Sequence, residues 1–305
     1  MPTHSVYLHT LGIDVTLQFT HLRAAGQAAE MFTAITEAPW HTPDCVIECT
    51  WPELTREFVR SRALNSTGPL PGIRLFSPTH PSGREWKSAD PPFPPVCVPA
   101  FQDRFVRFHG GAVADSASRG ILILGESGYG KSTMCNQLVR NHGFRLLTDE
   151  DVFVHRRGRT VEPFPVGHAL EKNGGKGIWE LISQPTMIAP SAATIEQILV
   201  LRAPGTAVEA LSRVNVKALL TALLEGQRPG GSSHAEAMAT ILLLARSVPA
   251  VEAAATYPQL LKLAPHVATL LPSVRHADSS ERSVSEDYPL RDILPPSQER
   301  VELER

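Results

Sequence analysis

The chain has little of what several functional classes require. Only four of its 305 residues are cysteine, and Cys45 and Cys49 stand apart from any second Cys or His pair, so the spacing of a zinc site is missing. No apolar run approaches the roughly 20 residues of a membrane-spanning helix, and no charged-then-apolar leader opens the chain. These absences predict a cytoplasmic, reducing setting and no membrane partner, with the cysteines as small buried hydrophobes. A basic excess is missing too. The 29 Lys and Arg stand against 31 Asp and Glu, which is not the electrostatic profile of a nucleic-acid binder. Local basic clusters such as Arg156-Arg157-Gly158-Arg159 read as a hairpin tip more than a docking surface. No internal repeat is visible.

What remains is ordinary for a globular protein: 42% hydrophobic and 20% charged residues. The length suits one large domain or two modest ones. Ile13–Phe19 alternates with the period of a half-buried strand. An Ala-rich helix is expected over Leu22–Ile35, with further strands at Cys45–Trp51 and Gly72–Ser77. The Pro-rich stretch Pro91–Pro99 sets a boundary, giving a β-rich accessory region over 1–100. After it the pattern becomes strand, loop, helix, strand. Ile121–Leu124 is a continuous apolar run typical of a buried parallel strand. A helix over Lys131–Asn141 ends at Gly143, and a strand follows at Phe144–Leu147. Asp151–His155 and Thr160–Phe164 form a hairpin, Ile195–Leu201 is a strand, and helices cover Val216–Glu225 and His234–Arg246. The tail over 273–305, rich in Ser, Pro and charge, is expected to pack weakly.

Gly125-Glu126-Ser127-Gly128-Tyr129-Gly130-Lys131-Ser132 satisfies the P-loop pattern G-x-x-x-x-G-K-[ST], with an apolar strand before it and a helix after. The glycines let successive N–H groups converge on an anion, and the helix aims its positive end at the same place. Lys131 supplies a charge for β- and γ-phosphates, and Ser132 a hydroxyl ligand for Mg²⁺. Gly125, Ser127, Gly128, Tyr129, Gly130, Lys131, Ser132 and Thr133 are the expected phosphate-binding set for ATP. Downstream, Thr148-Asp149-Glu150-Asp151 closes the next strand. In an open parallel sheet the carboxyl ends of neighbouring strands face one crevice, which puts Asp149 and Glu150 near those phosphates. Asp149 is expected to take a hydroxyl proton or to hold Mg²⁺. Lys217 and His234 fall on solvated helix faces.

The order Phe108-His109-Gly110-Gly111 … Asp115, then Gly-x-Ser-Gly-x-Gly-Lys-Ser, then Gly143-Phe144-Arg145-Leu146 and the acidic pair, resembles the HPr kinase/phosphorylase family. In particular it looks like that family's shorter relatives, the HPr-kinase-like proteins found with peptide-modification gene clusters, over Arg107–Val154. Ser127 inside the loop is typical of that family. The resemblance implies that His109 assists Asp149 as general base and that Glu150 is the second acidic residue, where the family has two aspartates. It further implies Glu171 as a metal ligand, and Lys172 near a phosphate, within Leu170-Glu171-Lys172-Asn173. The N-terminal hundred residues do not resemble the accessory domain of true HPr kinases, which argues against HPr as the acceptor. The family's hexamers point to a homo-oligomer.

The expected architecture is therefore α/β, with a P-loop kinase core over 101–272. The expected activity is ATP- and Mg²⁺-dependent phosphorylation of a Ser or Thr in a peptide or protein, such as a ribosomally made precursor peptide. The alternatives are a small-molecule kinase and a nucleotide-binding regulatory protein without turnover.

Overall fold

The computed structural model describes residues 4–31, 42–55, 58, 69–78, 80–87, 104–164, 168–172, 175–180, 187–203, 205, 211–228, 233–254 and 256–271. The Pro-rich stretch and the tail expected to pack weakly lie outside them.

The alternation near the start of the chain produces a hairpin. Strands β1 (His4–Thr10) and β2 (Ile13–Phe19) pair antiparallel, and the turn residues Leu11 and Gly12 both take positive φ, 54° and 71°. That geometry matches the right-handed twist of the strands it joins. Val6, Leu8, Val15, Leu17 and Phe19 fall on one buried face. Helix α1 (Leu22–Met31) follows. β3 (Cys45–Cys49) returns parallel to β2, and β4 (Pro69–Ser77) and β5 (His80–Lys87) complete a five-stranded sheet in the order β1-β2-β3-β4-β5. Burial raises the thiol pKa of Cys45 to about 12 and of Cys49 to about 11, so both pack as inert hydrophobes.

A second, seven-stranded sheet carries the rest of the fold. Its members are β6 (Phe105–Ala114), β7 (Arg119–Leu124), β8 (Arg145–His155), β9 (Thr160–Val161), β12 (Ala193–Arg202), β13 (Ser212–Arg213) and β14 (Ala250–Ala254), in the order β13-β14-β12-β7-β6-β8-β9. The short β9 pairs with β12 as well as with β8. Between β9 and β12, β10 (His168–Lys172) and β11 (Gly175–Glu180) form a separate two-stranded sheet.

The apolar run of β7 is buried on both faces, as an unbroken hydrophobic strand requires. Ile121 and Ile123 enter a core shared with α2 (Lys131–Asn141) and a helix over Tyr257–Ala268. Leu122 and Leu124 enter the opposite core, shared with α3 (Val216–Gly226) and α4 (His234–Ser247). The Tyr257–Ala268 helix, α5, contains Pro265 and has no counterpart in the sequence reading. β7 is parallel only to β12. It runs antiparallel to β6, because a tight turn at Asp115–Ser118 joins β6 and β7 where a crossover would be needed for parallel pairing. Asp115 builds that turn, its carboxylate accepting from Ala117 N, Arg119 N and the Arg119 guanidinium. The Asp of the family-like motif is thus a turn residue at the opposite end of β7 from the glycine loop.

The two sheets share buried side chains. Phe105, Phe153 and Phe164 belong to the core of the five-stranded sheet, meeting edge to face at 6.1 Å and 5.0 Å between centroids. The basic hairpin tip docks on α4: Arg156 pairs with Glu236 at 2.5 Å, and Arg157 N donates to Thr240 Oγ1. Among the described residues no helix is long and apolar enough to cross a membrane.

Candidate functional site

At the end of β7 the chain must reverse into α2 within a few residues, and three glycines make this feasible. Gly125, Gly128 and Gly130 take φ of 145°, 89° and 93°, values that side-chain-bearing residues rarely adopt. At Gly125 a β-carbon would also stand 2.6 Å from Leu201 O. Lys131 is 6% exposed, and its Nζ donates to Gly125 O (2.9 Å) and Glu126 O (2.8 Å), so the ammonium lies inside the loop it follows. Gly130 caps α2 and offers no side chain to its first turn, which leaves the positive end of the helix directed at the loop. Ser132 Oγ donates to Asp149 Oδ1 at 3.1 Å, and Thr133 lies half-buried one residue on. Ser127 and Gly128 are exposed at the tip. Tyr129 OH donates to Glu126 Oε2 at 3.0 Å, and this bond to a carboxylate raises the phenol's pKa.

The acidic run does not sit at the end of a parallel strand, as the sequence suggests. β8 continues through it to His155, antiparallel to β6, so that Asp149, Glu150 and Asp151 face Gly111, Gly110 and His109 across the ladder. The run stays in the sheet because two of its carboxylates find partners from elsewhere. Asp149 is held by Ser132. Asp151 accepts from Arg107 Nε (2.7 Å) and Nη2 (2.6 Å), so it is a structural anion. Gly111 makes room for Cys135: a β-carbon there would land on Cys135 Sγ, while Asp149 Oδ1 would stand at ordinary contact distance, 3.5 Å. Cys135 is itself fully buried, and burial followed by the charge of Asp149 pushes its thiol well up.

Between these anchored neighbours, Glu150 takes φ of 79°, a left-handed conformation for a residue with a β-carbon. Thr148 Oγ1 donates to Asp151 O at 2.5 Å across the kink. Glu150→Gly is expected to be more stable than Glu150→Ala by about 1 kcal/mol, since both lack the carboxylate and only glycine relieves the backbone. Denaturant midpoints measure this, and equal midpoints would show that no strain resides there.

His109 Nδ1 lies 3.3 Å from Glu150 O. That carbonyl assigns the proton to Nδ1 and leaves Nε2 as an acceptor. Nε2 is buried without a hydrogen-bond partner. Burial lowers the His109 pKa, reinforced by Lys131 and Arg228 and opposed by Glu150, so the imidazole is neutral at neutral pH. His109 also borders an open cavity of about 310 Å³, lined by the glycine loop, the end of β12, the end of α3 and Arg228. Arg228 reaches this position because its N–H donates to Arg107 O, extending β6 beyond the end of β7.

The structure therefore brings Gly125, Ser127, Gly128, Tyr129, Gly130, Lys131, Ser132, Thr133, Asp149, Glu150 and His109 to one end of β7. Glu171 and Lys172 lie on β10, but their side chains are outside the described residues. Arg107 and Arg228 were not legible as site residues. A single arginine in a strand, or just after a helix, has no spacing that marks it.

No family model matches the chain, and no curated protein matches it. Among solved structures, the HPr(Ser) kinase/phosphatase from Coxiella burnetii is similar over 53% of this chain and 95% of that chain, with 11% sequence identity and a TM-score of 0.29. A likeness this loose assigns neither fold nor function.

Proposed function

We propose that this chain is an ATP-dependent kinase that transfers the γ-phosphoryl group to a serine or threonine hydroxyl of a peptide or protein, with a ribosomally made precursor peptide as the first acceptor to test. One observation carries the reading: a buried ammonium, an uncapped helix end and a hydroxyl–carboxylate pair converge at the start of α2. Each suits one part of a triphosphate. The loop amides and Lys131 offset the negative charge that grows on the phosphate oxygens during transfer.

Ser132 and Asp149 offer hard oxygen donors that fit Mg²⁺, with Glu171 as the further ligand that the family likeness implies. Among the described residues no three His, Cys, Asp or Glu side chains cluster as a metal cage. Mg²⁺ is commonly bound through one or two carboxylates plus substrate phosphates. When bound, Mg²⁺ neutralises phosphate charge.

In the transfer, the acceptor oxygen bonds to the γ-phosphorus as the bond from that phosphorus to the β–γ bridging oxygen breaks, and ADP leaves. The hydroxyl proton goes to Asp149. His109 lies two positions along β6 from Gly111, the cross-strand partner of Asp149, and assists that carboxylate as the family likeness implies.

The test is incubation with γ-labelled ATP and Mg²⁺ against two panels, Ser/Thr peptides (including those encoded near the gene) and hydroxylated metabolites. Label on a peptide hydroxyl, located by mass spectrometry, is the expected result. Label only on metabolites would replace the acceptor class, and bound ATP with no ADP formed would end the kinase reading.

A further inference from the structure

Beyond the bonds from Lys131 Nζ to Gly125 O and Glu126 O, the loop is braced from outside. Gly125 and Gly130, its two hinge glycines, are backed by different elements. Gly125 lies against Leu201 on β12. Gly130 lies against Leu260, whose Cδ1 occupies the space a side chain at Gly130 would need. Leu260 is 3% exposed and sits in the first turn of α5, the helix that follows β14. Tyr129 packs against the same core. The first turn of α5 is itself fastened: Gln259 Oε1 accepts from Thr256 N (2.7 Å) and Thr256 Oγ1 (2.8 Å), and Leu260 N donates to Thr256 O.

We infer that Leu260 is a positioning residue for phosphate binding, holding Gly130 in its left-handed conformation so that the first-turn amides of α2 face the anion. The inference rests on the nucleotide reading above. Its physical basis is steric. A glycine at φ of 93° has other accessible conformations, and Leu260 narrows them by filling the side from which Gly130 could relax. Removing that filler lets the loop sample shapes in which its N–H groups no longer converge, and misplacement of an ångström is costly at such sites.

Leu263 provides the control. It lies on the same helix, in the same core and similarly buried, yet it is not among the atoms nearest Gly130. Calorimetric titration with Mg-ATP, well below each variant's melting temperature, is expected to show affinity for Leu260→Ala weakened roughly tenfold or more. Leu263→Ala should lose comparable thermal stability with affinity unchanged. Leu260→Met, which can refill the space, should restore binding. In kinetics the KM for ATP should rise more than kcat falls. Leu260→Val, which lacks a δ-carbon, makes the same comparison if the alanine variant does not fold. Equal weakening by Leu260→Ala and Leu263→Ala, or wild-type affinity in Leu260→Ala and Leu260→Val, overturns the inference while leaving the nucleotide reading in place. Failure of the wild-type protein to bind Mg-ATP overturns both.

Discussion

Lys131→Met is expected to lower phosphoryl transfer by roughly a hundredfold to a thousandfold, the usual cost of losing one preorganised charge-stabilising donor. Methionine retains most of the side chain's length and its apolar contacts. It removes the ammonium that bonds to Gly125 O and Glu126 O. Because the lysine is a charge held largely out of water, losing it need not unfold the protein. The two carbonyls left without this donor cost on the order of 1–3 kcal/mol each if they stay buried. Melting with and without Mg-ATP separates the two effects. The wild-type protein should gain about 2.7 kcal/mol at a hundred times its Kd, whereas Lys131→Met should melt cooperatively and gain little. A variant with the wild-type ligand-induced shift would show that the ammonium does not meet the nucleotide.

Asp149→Asn is expected to bind ATP yet transfer about 10²- to 10⁴-fold more slowly, the range for loss of a positioned proton acceptor. The substitution keeps the shape of the side chain and an oxygen that can still accept from Ser132 Oγ. It removes the charge that would take the hydroxyl proton or hold a cation. Single-turnover measurement at saturating ATP isolates the chemical step. The same variant distinguishes the rival regulatory reading, in which binding alone matters. There the asparagine variant would function in cells like wild type, and that outcome would leave only nucleotide capture.

The parts of the fold legible in the sequence were those with local causes. Helix α2 runs over the expected residues Lys131–Asn141, because Gly130 and Gly143 bracket it with conformations that end helices. β2 matches because its alternation is undisturbed. β6 does not read as a strand from sequence, since Gly110 and Gly111 look like breakers. Their reason is distant: a β-carbon at Gly110 would stand 2.7 Å from Ile123 O, and one at Gly111 would meet Cys135. The acidic run was read as the end of a strand for a related reason. Its continuation depends on Arg107, 44 residues earlier in the chain, and on Ser132, 17 residues earlier. The glycine loop was legible to the residue. The strand geometry opposite it was not, because antiparallel pairing with β6 follows from the tight turn at Asp115 and carries no periodic signal of its own.

The double pairing of β9 has a topological effect on the strand that bears Asp149. Main-chain hydrogen bonds pass from β12 through β7, β6 and β8 to β9 and back to β12, closing a hoop. β8 is therefore paired along its length with β6 and, at Val154, with β9. Asp149 sits on a strand of that hoop, and its place opposite the glycine loop is set by the pairing with Gly111 of β6, the strand next to β7.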